Sequence, residues 1–67
     1  SAYYTRAIAQ DPDNILARSY MAQGFVETGQ YAQALAQWKE IKARGGEGTW
    51  AETSLRQAIQ TGVTVNY

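Results

Sequence analysis

Apolar side chains return every three or four residues along most of this chain, the spacing of one helix face, and four such runs are separated by turn residues. The first holds Tyr4, Ala7 and Ile8 and predicts a short helix over Ala2–Gln10. Asp11-Pro12 ends it, because proline disfavours helical backbone in the residue before it. The second begins at Asp13 or Asn14, both good N-caps, and runs through Leu16, Met21, Phe25 and Val26 to Thr28, where Gly29 supplies a left-handed stop. Tyr31–Ala43 carries the clearest stripe, Ala34, Leu35, Trp38 and Ile41, and closes on Lys42 and Arg44 ahead of Gly45-Gly46. Thr49 and Glu52 then form a capping box before Ala51, Leu55, Ala58 and Ile59, and Gly62 ends the fourth helix. Val63 to Tyr67 alternate apolar and polar residues, but the stretch is short and terminal, so an extended tail is expected over 62–67.

A longer period runs through these helices. Tyr4 is answered by Trp38, Ala7 by Ile41, Met21 by Leu55 and Phe25 by Ile59, each 34 residues on. That is the period of a helix–turn–helix unit that cannot bury its apolar face alone and stacks on its neighbours. The expected fold is all-α: about four helices in antiparallel pairs, stacked as a short α-solenoid.

The register Met21, Ala22, Phe25, Gly29, Tyr31, Ala34, Trp38 and Ile41 resembles a tetratricopeptide repeat, with Tyr4, Ala7 and Pro12 matching the second half of a preceding unit. The resemblance implies one domain over 1–61: the second helix of a truncated unit (1–11), a complete unit (14–46) and a capping helix (49–61). Small Ala22 and Ala34 would let antiparallel helices approach, with Phe25, Tyr31 and Trp38 filling the space around them. Three positions depart from the family pattern. Arg18 stands where tryptophan is frequent, which is expected to leave that corner less apolar and open. Gly46 replaces the usual proline. Arg56 occupies a small-residue position, which suits an end cap better than a continuing array.

Composition narrows the function. The 67 residues contain no cysteine and no histidine, so disulfides, thiolate metal sites and the commonest general base are excluded; no catalytic group, metal or cofactor is expected. Six basic and six acidic residues balance without forming a block, which argues against nucleic acid as a partner. The uncharged run between Arg18 and Glu27 is too short to cross a bilayer, so no membrane role is expected. Gly45-Gly46-Glu47-Gly48-Thr49 lacks the lysine of a phosphate-binding loop and reads as a flexible connector. Asp11, Asp13, Glu27, Glu40, Glu47 and Glu52 form no catalytic constellation and fit helix caps and solvated faces. A small enzyme or ligand-binding domain is therefore the remote alternative.

What remains is a protein–protein interaction module that presents a groove to a peptide or partner helix. On the second helix Leu16, Ser19, Tyr20, Gln23 and Glu27 fall opposite the core face and are the expected groove residues. Leu16 and Tyr20 have a plainer role as packing against neighbouring helices, since neighbour packing is obligatory in such arrays and ligand contact is not. Some family members bind C-terminal carboxylates through lysine and asparagine on this face; Ser19 and Gln23 stand here instead, so that clamp is not implied. Tyr4, Ala7 and Ile8 form a second candidate surface, to be covered by a preceding segment of a longer protein or by a second copy in a homo-oligomer, with Trp50 and the tail as contributors. If the bulky and small positions interlock as this register requires, Trp38→Ala should lower the unfolding free energy by roughly 3 to 5 kcal/mol in urea denaturation.

Overall fold

The computed structural model describes residues 2–64, and it is all-helical: α1 (Ala2–Gln10), α2 (Ile15–Glu27), α3 (Tyr31–Ala43) and α4 (Trp50–Thr61). No strand occurs among the described residues. Of the expected tail, Gly62 takes the left-handed conformation that closes α4, 63–64 are non-helical, and 65–67 lie outside the described residues.

The helix ends follow from local chemistry. Asn14 caps α2, its side chain accepting from the Ala17 amide at 3.0 Å. At the other end the Gly29 amide donates to the Val26 carbonyl and the Gln30 amide to Phe25, while Gly29 holds φ 78°. This paired arrangement satisfies the last carbonyls and turns the chain back within a few residues. α3 ends in the same way: the Gly45 amide donates to Lys42 and the Gly46 amide to Ile41. The supposed flexible connector therefore has a defined geometry. The Thr49 side chain accepts from the Glu52 amide at 3.3 Å, but Glu52 reaches back to the Gly48 amide at 3.0 Å and not to that of Thr49, so the capping box is displaced by one residue.

α2 is the hub, packing against each of the other three helices, whereas α1 packs on α2 alone. α2 and α3 run antiparallel, since Asp13, just before α2, pairs with Arg44 at the end of α3. α3 and α4 are antiparallel too, with Trp38 bonded to Glu52 and the Tyr31 hydroxyl lying close to Gly62. α2 and α4 run parallel: Ser19 bonds the Ala51 carbonyl, Gln23 bonds Ser54, and Thr64, just past α4, bonds Glu27 at the end of α2. α4 therefore stacks on the α2–α3 pair and repeats the direction of α2.

The core is Ala22, Val26, Ala34, Ile41, Leu55 and Ala58, with Ile15, Phe25, Trp38 and Ile59 packed against it. Ala22 and Ala34 have no exposed surface, as close approach of α2 and α3 requires. Tyr31 is 44% exposed and fills no interior space. The corner at Arg18 is closed, contrary to expectation. Its side chain is buried, with Nε donating to the Pro12 carbonyl at 2.8 Å and Nη1 to the Gln37 amide oxygen at 2.9 Å.

Gly46 explains its own departure from proline. A β-carbon there would meet Ile41 Cγ2 at 2.7 Å, the Ile41 carbonyl at 2.9 Å and Ile15 Cδ1 at 3.1 Å, and its amide is already in use. Gly46→Ala should cost about 1 to 3 kcal/mol through this overpacking. Gly46→Pro should cost more, because the bond to Ile41 is also lost. Urea unfolding of the two variants checks the order.

Candidate functional site

Each buried face of α2 is built from different chemistry. Toward α3 it is apolar except at Arg18, which bonds Gln37. Toward α4 it is small and polar: Ser19 and Gln23 are buried, Ser19 Oγ donates to the Ala51 carbonyl at 2.8 Å, and Gln23 Nε2 lies 3.4 Å from both Ser19 Oγ and Ser54 Oγ. These two residues are therefore not groove residues. At these two positions the expected solvent face of α2 is an interface with α4, and serine and glutamine stay inside because their polar atoms are paired there. Of the other three, Leu16 is 43% exposed, Tyr20 is half-buried, and Glu27 is exposed with Oε1 accepting from the Thr64 hydroxyl at 2.8 Å.

Polar pairing also fixes the start of α4. Glu52 is buried and not on a solvated face; Oε1 accepts from the Gly48 amide, and Oε2 accepts from Trp38 Nε1 at 2.8 Å and Arg56 Nε at 3.0 Å. The Gly48 amide is the main influence that holds its carboxyl below the usual glutamate range, helped by the Trp38 indole and by the Arg56 guanidinium, while burial pulls the other way. Lys42 Nζ lies 3.8 Å from the Trp38 ring centre, so the indole takes a cation on its face and an anion at its edge. Elsewhere Arg44 bridges Asp13 at 2.7 Å and Glu40 at 3.5 Å, and it is chiefly the hydrogen bond to Asp13 that raises its pKa. Among the described residues no cluster of three potential metal ligands occurs, and no helix is long and apolar enough to cross a membrane.

A row of aromatic rings runs across α1, α2 and α4. Tyr3 and Tyr4 of α1 meet edge to face with centres 5.2 Å apart, Tyr4 and Tyr20 of α2 follow at 5.8 Å, and Tyr20 and Trp50 of α4 at 6.4 Å. Tyr3 is 68% exposed and Trp50 51%. Beside the row, Tyr3, Tyr4, Ala7, Asn14, Leu16 and Tyr20 help to line a depression of about 270 Å³. The two expected surfaces therefore meet: Leu16 and Tyr20 adjoin Tyr4 and Ala7 across the α1–α2 joint, and Tyr4, Ala7 and Ile8 are each partly covered. Tyr3 falls outside the helical stripe and was not expected here; its adjacency to Tyr4 in sequence was the available signal. A second, mostly apolar depression of about 160 Å³ lies between α3 and α4, lined by Leu35, Trp38, Arg56, Ile59 and Gln60.

Comparison with protein-family models, with curated proteins and with solved structures finds no match to this chain.

Glu52 gives the site a pH signature. A carboxylate whose pKa is depressed on folding contributes stability that is complete above its unfolded value, about 4.3, and is lost as pH falls through the lower folded value. Glu52→Gln should therefore narrow the difference in unfolding free energy between pH 6 and pH 3, which thermal melts at the two pH values read directly. Glu52→Ala, which removes the acceptor altogether, should cost about 1.5 to 3 kcal/mol at neutral pH.

Proposed function

We propose that this chain is a helical-repeat module of the tetratricopeptide kind, and that it works by binding an extended peptide across the aromatic row of α1, α2 and α4. The observation that carries the reading is the run Tyr3, Tyr4, Tyr20, Trp50, with its outer members more than half exposed and Leu16 beside it. Aromatic side chains supply large contact area with few torsions to freeze, and rings already held against one another lose little further freedom on binding. The residues lining the adjoining depression are all uncharged, so the chemistry it suits is apolar. An extended segment bearing proline fits best, because aromatic-lined grooves take such pre-stiffened segments at low ordering cost.

Within this reading Ser19 and Gln23 serve the groove from behind, by holding α2 and α4 parallel so that Tyr20 and Trp50 line up. Support for the repeat identity comes from the 34-residue register, from the parallel α2 and α4, and from the closed approach at Ala22 and Ala34. No catalytic group is assigned.

The test is selection of random peptides displayed on phage against the immobilised chain. Selected sequences should be enriched in proline and should lose at least ten-fold in affinity for a Tyr20→Ser, Trp50→Ser variant whose helix content by circular dichroism is unchanged. Ligands that bind this variant as well as the wild type would overturn the assignment of the aromatic row.

A further inference from the structure

We propose that the depression bounded by Tyr3, Tyr4 and Tyr20 is an aromatic cage for a quaternary ammonium group, carried as a trimethylated lysine on the peptide that crosses the aromatic row. The inference rests on the peptide reading above and adds the side chain that the depression selects. Three tyrosines, two from α1 and one from α2, line this one depression of about 270 Å³. The Tyr4 ring centre lies 5.2 Å from that of Tyr3 and 5.8 Å from that of Tyr20, with planes inclined by 78° and 52°. Rings so inclined stand as walls turned in different directions, whereas parallel rings would stack and close the space between them. A cation is attracted to a ring face within about 6 Å of its centre, so centres this close let one ammonium interact with all three π-systems. Trp50 continues the wall on the α4 side, 6.4 Å from Tyr20 and at 72° to it.

The rest of the lining separates a methylated ammonium from its competitors. No lining residue is charged, so none repels a cation and no carboxylate is present to pair with one. The Asn14 side-chain oxygen already accepts from the Ala17 amide at 3.0 Å. A primary ammonium brings three N–H donors and gives up their water on entry, which is costly where acceptors are few. A trimethylammonium brings none. Its charge is spread over methyl groups that tolerate apolar contact, so the rings and Leu16 meet it without a hydrogen bond. An anion is disfavoured by the negative ring faces. Tyr3 is 68% exposed and Tyr20 half-buried, so the cage is open on the Tyr3 side, as a side chain arriving from an extended backbone requires.

The test is titration of the whole chain, followed by NMR, with three capped amino acids: trimethyl-lysine, lysine, and the carbon analogue in which a tert-butyl group replaces the trimethylammonium. Trimethyl-lysine should bind about five-fold to thirty-fold more tightly than either of the others, the range that cation–π attraction supplies. Tyr3→Leu, at an exposed position, should weaken trimethyl-lysine several-fold and leave the carbon analogue within about two-fold, whereas lost packing alone would weaken both alike. Equal binding of trimethyl-lysine and the carbon analogue, or binding of neither, overturns the cage. The peptide reading would survive that result, because peptides selected on phage carry no methylated lysine. A phage selection that fails while trimethyl-lysine binds supports the cage and overturns the proline-bearing segment instead. Co-sedimentation of the chain with phosphatidylcholine vesicles, reversed by added trimethyl-lysine, would assign the cage to a lipid headgroup and overturn the peptide occupant.

Discussion

α2 has to be buried on two sides, and the rest of the structure is arranged around that constraint. A helix with one apolar stripe can be covered once, but α2 meets α3 on one flank and α4 on another, with α1 against its start. The α3 flank is met by size, with Ala22 and Ala34 small enough to bring the backbones together. The α4 flank is met by polar pairing, through Ser19, Gln23, Ser54 and the Ala51 carbonyl. An unpaired hydroxyl or amide in that position would cost about 1 to 3 kcal/mol, so the interface is stable only because every one has a partner. Among the described residues no buried side-chain nitrogen or oxygen lacks one.

The 34-residue register makes a second solution visible. Arg18 and Glu52 occupy equivalent places near the starts of α2 and α4, both are buried, and they carry opposite charges. Each ties its helix to the turn before it: Arg18 donates to the Pro12 carbonyl, and Glu52 accepts from the Gly48 amide. Each also crosses to α3, Arg18 reaching Gln37 and Glu52 reaching Trp38. One structural need, anchoring a helix start to the neighbouring pair, is met once by a donor and once by an acceptor. A tryptophan at the Arg18 position would fill the volume but could donate only once, leaving either the Pro12 carbonyl or the Gln37 oxygen without this donor, whereas the guanidinium satisfies both oxygens in different elements. The corner is polar and closed together.

The helices themselves were legible in the chain because their ends are decided locally. Asn14, Gly29, Thr49 and Gly62 act on neighbours a few residues away, so their roles follow from sequence order alone. The groove was less legible. Periodicity reports which face is apolar and takes the opposite face to be wet, an inference that fails where a polar residue is buried against a partner across the fold. Ser19 pairs with a carbonyl 32 positions on, and Gln23 with a hydroxyl 31 positions on, separations that no local pattern encodes. Glu52 is half-legible for the same reason: its capping role is local, but it is buried against Trp38, 14 positions back.

Exposure of the aromatic row follows from the same packing. The α2–α4 contact uses short side chains, Ser19, Ala51 and Ser54, so the two helices lie close and their bulky neighbours, Tyr20 and Trp50, are displaced to the edge of the joint. Rings on adjacent parallel helices are thereby brought to 6.4 Å and are extended onto α1 by Tyr4 at 5.8 Å. Exchanging the serines for larger apolar residues would spread the helices and turn the rings inward, adding core at the expense of surface. Keeping small polar residues inside therefore sustains an apolar face outside. The stability that such a core forgoes is the physical cost of holding a preformed apolar surface in water.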